Sequence, residues 1–378
     1  MALTINKQPD AGDLTLANSP VLIQVSSTNI TQTDFTYEVE VYIWTGASSA
    51  QPSDANYTLR KLPNSSMNNR AVFDLSKLIN DEFELPQLND WTNRVKNSVG
   101  TAVWVKTVCK GVWDGGSEST TGNGFYAVQG YSYSYNQEIN HNYDHADTVG
   151  LIDSPENMEF FGSSMYIPVY RPHHTSVRVT DGTTTYTEDI SGKVVSESEQ
   201  RLVHVDIIDI MNDESITGDD ITVTLGGSGN NKVYKFKRGC ANRYEAYPVA
   251  FVNKFGCLQY LFFQGRATKS IQLESQAFKR PMFYDGFNID VSKTNGSSYG
   301  HKGKVVYQLN TQILGEEINS SIEQLLASPK IQIYHDSIWR SVNIVEKNIT
   351  LKTSLNDRIV QYTFQFEETA DYLNMANA

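Results

Sequence analysis

At 378 residues the chain is too long for one ordinary core, so two to four domains are expected. Charged residues make up 20% and apolar residues 39%, a soluble globular balance. The formal charge of −12, with no long Lys/Arg block, excludes a basic groove that tracks nucleic acid. Tyrosine (21) and phenylalanine (16) outnumber methionine (7), and Thr, Val and Ile recur in short runs, a composition that leans toward β-structure.

In chain order, a polar leader is followed by two predicted strands, Val21 to Val25 and Phe35 to Ile43. In the second, Phe35, Tyr37, Val39, Val41 and Ile43 alternate with Thr36, Glu38, Glu40 and Tyr42. A period of two marks a strand with one face in a core and one in water. Further strands are expected near Tyr57 to Leu62, over Thr101 to Trp113 and over Gly124 to Tyr131. Short strands with turn chemistry between them describe a first β-sandwich over residues 1–131. From 132 to 164 the periodicity disappears, and this stretch reads as an irregular linker or arm.

A second β-rich block, residues 165–267, opens at "MYIPVYRP", contains the hairpin "ITVTLGGSGNNKVYKFKRG" and ends in "YPVAFVNKFGCLQYLFFQG". The two blocks share a motif. "AVFDLSKLIND" (Ala71 to Asp81) aligns with "VHVDIIDIMND" (Val203 to Asp213) at an offset of 132, with, from Phe73 on, three identical positions and four more that stay apolar. Asp74 and Asp206 each stand between an apolar run and apolar residues at helical spacing, the place of a helix cap. No His or Lys accompanies both copies, and the second shared acid, Asp81 with Asp213, closes the motif seven residues on, so the repeat reads as one of fold, with two related sandwiches in tandem.

Residues 268–378 change character and are expected to form a β-rich α+β module. Within it, "GEEINSSIEQLLASP" places Ile318, Ile322, Leu325 and Leu326 on one helical face, so a helix is predicted near 316–327. Ser328-Pro329 ends it.

The chemistry-bearing residues are sparse. In "HNYDHAD", His141, Asp144 and His145 have a spacing that a helix would turn into a metal site. The surrounding Asn, Tyr and Gly show no helical period, however, and the stretch reads as a solvated linker. His173 and His174 at a strand exit, and the acidic loop Asn212 to Asp220, read as polar turns. No nucleophile elbow, paired-acid layout or phosphate loop is present, so no catalytic residue, cofactor or metal is assigned. Tyr131, Tyr133 and Tyr135 alternate and, with Trp339, form a candidate contact surface, for another subunit or for a stacked sugar. Cys109, Cys240 and Cys257 are an odd, sparse set that reads as buried thiols rather than a disulfide framework. No apolar run approaches the ~18 residues of a spanning helix, and "MALTINKQPDAGD" lacks the features of a signal peptide, so a cytoplasmic site of folding is expected.

Three stretches carry a resemblance. "SPVLIQVSSTNITQTDFTYEVEVYI" with "AVFDLSKLI" resembles the opening domain of virion structural proteins from tailed phages of Bacteroidetes, including crAss-like phages. "VAFVNKFGCLQYLFFQGRATKSIQLES" is similar to their "FxNxFG" stretch, here Phe251, Asn253, Phe255 and Gly256. The sequence from Gln308 to Tyr372 looks like their closing module. Cys257 and Gln259 depart from the family pattern. The resemblance implies a non-enzymatic tail, neck-ring or baseplate component of the virion, assembled in the bacterial host cytoplasm. Its implied partners are itself as a cyclic homo-oligomer and other tail or portal-proximal proteins. DNA is implied only as passing cargo, and no membrane is involved. A glycan-binding attachment protein is the alternative.

Overall fold

A computed structural model describes residues 3–371 apart from 13, 85–86, 92, 98–100, 134–141, 144–149, 163, 172–173, 192–200, 228–230, 240–243, 280–282, 285–287, 290–295, 314, 347, 354–356 and 358. The chain is mainly β, as its composition suggests. Among the described residues, no helix is long and apolar enough to cross a membrane.

The first module contains β1 (Thr4–Lys7), β2 (Leu14–Leu16), β3 (Leu22–Ser26), β4 (Thr36–Trp44), β5 (Tyr57–Lys61) and β6 (Ala71–Asp74). Then come the short helix α1 (Ser76–Asn80), β7 (Val95–Asn97), β8 (Ala102–Trp113), β9 (Gly116–Thr121) and β10 (Phe125–Val128). β1-β3-β6 form one sheet. β2-β10-β8-β4-β5 form the other, with β9 on β8 and β11 (Asn142–Tyr143) on the outer edge of β2. The alternation seen in the sequence of β4 is real: Tyr37, Val39, Val41 and Ile43 face Ile23, Val25 and Phe73 across a shared core. The polar leader thus supplies two strands. β2 is only three residues long, too short to display a period.

The second module repeats this plan. It is built from β12 (Met158–Phe160), β13 (Tyr166–Tyr170), β14 (His174–Thr180), β15 (Thr185–Asp189), β16 (Leu202–Asp206), α2 (Ile207–Asp213), β17 (Asp220–Gly227) and β18 (Lys232–Arg238). Its larger sheet runs β12-β18-β17-β14-β15, matching β2-β10-β8-β4-β5 strand for strand. Even the parallel pair recurs, β2 with β10 and β12 with β18, in sheets otherwise antiparallel. β13 pairs antiparallel with β16 as β3 does with β6. Two boundaries therefore move. β12 belongs to the second sandwich, although it lies in the stretch expected to be linker, and again three residues were too few to show a pattern. β7, from the first module's sequence, crosses over to pair with β16.

The third module holds a seven-stranded sheet, β20-β19-β25-β26-β27-β24-β21. Its strands are β19 (Tyr247–Val252), β20 (Leu258–Phe263), β21 (Thr268–Lys279), β24 (Gly296–Asn310), β25 (Ile331–His335), β26 (Ile338–Ile344) and β27 (Thr363–Glu368). A small pair, β22 (Phe283–Tyr284) and β23 (Asn288–Ile289), lies between β21 and β24 in sequence. The helix α3 (Ile318–Ala327) falls where the heptad spacing predicts it. The expectation that 165–267 forms one sandwich is corrected here: the β19-β20 hairpin joins the third sheet, with Val249 opposite Ile333. Every residue of both strands is buried. A strand covered on both faces reads as a continuous apolar run and does not reveal which sheet will take its edge.

The modules are interlocked rather than strung. Between β6 and β8, Asn89 exchanges two 2.9 Å hydrogen bonds with the backbone of Trp339 in the third module. A few residues on, Arg94 reaches Asp209 (3.1 Å), Asp213 and Glu188 (3.5 Å) in the second.

Candidate functional site

Asp74 and Asp206 sit at equivalent corners. Asp206 Oδ1 accepts from the backbone N–H of Met165 (3.0 Å), Ile208 (3.0 Å) and Asp209 (3.3 Å). Asp74 Oδ1 accepts from Val21 N–H (3.3 Å) and Ser76 N–H (3.0 Å). In each case the next residue donates back: Ile207 N–H to Met165 O and Leu75 N–H to Val21 O. The Asp206 carboxylate therefore caps α2, Asp74 makes the corresponding bond to Ser76 from one residue before the cap position Leu75, and each ties its turn to the residue just before the neighbouring strand. The copies differ in depth, because Asp206 is 4% exposed and Asp74 lies open to solvent. Burial pushes the Asp206 carboxyl up to about 6, against the pull of its three N–H donors.

Phe251, Asn253, Phe255 and Gly256 stand together where all three modules meet. β19 ends at Val252, and the chain turns back into β20 through Asn253 to Cys257. Asn253 Oδ1 accepts from the N–H groups of Phe255 (3.0 Å) and Cys257 (3.1 Å), which forms the turn. Its amide then donates to Leu151 O (2.7 Å) and to Gln259 Oε1 (3.1 Å). Phe255 and Cys257 enter an apolar cluster with Leu14, Trp104 and Tyr126 of the first sandwich and Tyr170 and Leu202 of the second. Gly256 has φ +71°, and a Cβ there would lie 2.8 Å from the backbone of Gln129. Gly256→Ala is expected to cost about 2–4 kcal/mol, from left-handed strain and forced separation of the two modules. A thermal melt within a degree of the parent would contradict it.

Beside this turn lies a polar hub that sequence reading missed. Asp153 Oδ2 accepts from Lys254 Nζ (2.5 Å), Gln324 Nε2 (2.9 Å) and Ser320 Oγ (3.0 Å). Gln259 Nε2 donates to Asp153 O (3.1 Å) and to Ser321 Oγ (2.9 Å). Burial by itself would raise the Asp153 carboxyl, but the Lys254 ammonium and the α3 donors hold it below the ordinary carboxylate range. Gln259 is the bridge between linker and helix. The available signal was in α3, where Ser321 and Gln324 lie three apart beside the apolar stripe and are fully buried. The hub holds structure together; its donors and acceptors are spent on one another.

The remaining candidates are scattered. Tyr131 and Tyr133 are half-buried and pack edge to face with centroids 6.1 Å apart. Tyr131 N–H donates to Lys254 O at 2.7 Å, and burial pushes its phenol up to about 12. Trp339 is corrected as a contact residue, being 8% exposed and packed edge-on against Tyr260 at 5.9 Å. The period of β26 turns Ile338 outward instead, at 51% exposure. Tyr135, His141, Asp144 and His145 lie outside the described residues. His174 is buried on β14. Cys109 and Cys257 are buried free thiols; desolvation pushes Cys109 up to about 12 and Cys257 higher still. Among the described residues no cluster of three His, Cys, Asp or Glu side chains could hold a metal.

Two surface features stand apart. The first is an arm: β21 is exposed along all 12 residues and pairs on one side only, with β24. β27 supports β24 only from Val306 to Asn310, so the ladder from Ile271 to Lys279 continues as two strands alone. Ile271, Leu273 and Phe278 are exposed on it. The second is a cleft of about 800 Å³ between β12 and β18 and the root of the arm. Glu156, Glu159, Glu317, Lys237, Tyr244 and Ile313 line it, and Ile313 is 65% exposed.

No protein-family model matches this chain, and no curated protein matches it.

Proposed function

We propose that the chain is a structural subunit of a tailed-phage virion that builds an oligomeric ring or hub in the tail. It does so by contacts between copies and with other tail or portal-proximal proteins. The observation that carries this reading is the arm. An isolated two-stranded ribbon is marginal in water, and a long open edge strand is a template for association. A protein that keeps 12 exposed strand residues with apolar side chains among them is built to have that ribbon covered. The interlocked modules supply the rigid body such an arm needs as a base. The placement in a tail draws on the sequence resemblance of the opening, "FxNxFG" and closing stretches; DNA passes as cargo. The test is the composition of purified particles: quantitative mass spectrometry is expected to find the chain at a fixed copy number per virion. Its absence from particles, or a copy number that varies between preparations, overturns the reading.

A further inference from the structure

The arm and the cleft are opposite in charge. Residues 268–310 carry six lysine or arginine against three aspartate or glutamate side chains, a net of +3 within a chain of −12, which leaves −15 elsewhere. Lys269, Lys279, Lys302 and Lys304 lie on the two strands of the arm, with Glu274 as the acid among them. Among the described residues the cleft presents Glu156, Glu159 and Glu317 against Lys237, with Lys235 3.9 Å from Glu156 at its edge. Apolar groups accompany the charges on both sides: Leu273, 64% exposed, and Phe278 on the arm, Ile313 and Tyr244 in the cleft.

Distance decides whether the two meet within one molecule. The cleft wall includes Gly265, three residues before the arm begins at Thr268. From Thr268 the ladder runs to Lys279, roughly 36 Å at about 3.3 Å per residue. The distal half, which begins where Lys302 pairs with Glu274 and carries Phe278 and Lys279, therefore lies along the ladder beyond its own cleft and is available to another.

We infer that the distal half of the arm docks in the acidic cleft of a second copy of this chain. Lys279 and Lys302 then face Glu156 and Glu317, and Phe278 covers Ile313 and Tyr244. Such a contact is heterologous, since arm and cleft are different surfaces. Repeated from copy to copy it closes into a ring when the rotation permits and otherwise runs on as a filament. Because paired charges at a solvent-accessible rim dominate it, association weakens as salt rises. The proposal rests on the structural-subunit reading and names the surfaces that reading leaves open.

The test is a charge swap in the full-length chain, followed by mass photometry and analytical ultracentrifugation. The parent chain is expected to associate at low salt. Lys279→Glu with Lys302→Glu, both at exposed positions of the ladder, is expected to weaken association at least about tenfold. Adding Glu156→Lys and Glu317→Lys is expected to restore it. Carbodiimide coupling of mixed ¹⁴N and ¹⁵N chains gives an independent readout: peptides joining Lys279 or Lys302 to Glu156 or Glu317 across isotopes are expected. Association unchanged by the arm reversal, no restoration by the cleft reversal, or a monomeric parent chain overturns the docking. So does an arm reversal that abolishes binding to a DNA oligonucleotide while self-association persists. Each of these leaves the virion reading to its own test, particle copy number.

Discussion

Asp206→Ala is expected to destabilise the second sandwich by about 3–5 kcal/mol, while Asp74→Ala costs the first about 1 kcal/mol. The substitutions remove related hydrogen-bond patterns, three N–H donors at Asp206 and two at Asp74, so the difference combines one extra bond with burial. Asp206 Oδ1 serves three N–H groups at a site 4% exposed, and no water replaces it. The two donors on Asp74 are at a solvent-open corner and can turn to water. Asp206→Asn separates the acceptor from the charge. The folded carboxyl titrates at about 6, above its ordinary 3.8, so the unfolded chain gives up the proton first as pH rises. Stability from this group is full below about pH 4 and is lost progressively as pH rises through about 6. The loss is about 3 kcal/mol at roughly 1.4 kcal/mol per unit. Asn keeps Oδ1 and carries no titration, so denaturant midpoints of the variant should lose that slope between pH 4 and 6. An unchanged slope would show that another group is responsible.

Asn253→Ala is expected to be the most disruptive single change at the module junction, at about 3–5 kcal/mol. It strands two buried backbone N–H groups and removes the side-chain donor to Leu151 O in one step, while Gln259 Oε1 keeps only the Asp153 N–H at 3.2 Å. Asn253→Asp is expected to be no milder. It keeps the two acceptor bonds but sets an anion against Leu151 O and Gln259 Oε1, where the amide had donated. Because this turn joins the third module to the first sandwich and to the 151–153 stretch, the readout is inter-module. Limited proteolysis of either variant is expected to cut near residues 132–164 at conditions where the parent chain resists. Parent-like proteolysis together with a parent-like melt would remove the turn from its place as the junction.

Much of this architecture could be read without coordinates, and the reasons are local. The period of β4, the glycine-rich turn between β17 and β18 and the spacing of Ile318, Ile322 and Leu325 each depend on neighbours a few residues away. The paired "FDLSKLIND" and "VDIIDIMND" announced a repeat of fold, and the matched strand orders around Asp74 and Asp206 have that form. What escaped was of two kinds. β2 and β12, three residues each, are shorter than any period that could reveal them. The hub around Asp153 draws on residues 153, 254, 259, 320, 321 and 324, whose types are ordinary singly and gain meaning only by meeting.

By itself, then, the sequence determined the β character, the duplicated sandwich with its capping aspartates and the single amphipathic helix of the third module, because backbone periodicity and capping are settled by adjacent side chains. Only the tertiary structure decided that β19 and β20 join the third sheet, that Trp339 is buried while Ile338 faces out, and that a basic arm stands clear of an acidic cleft. A strand buried on both faces carries no label for its partner, and the charges of the arm and the cleft acquire their opposition only when folding gathers each set onto one surface.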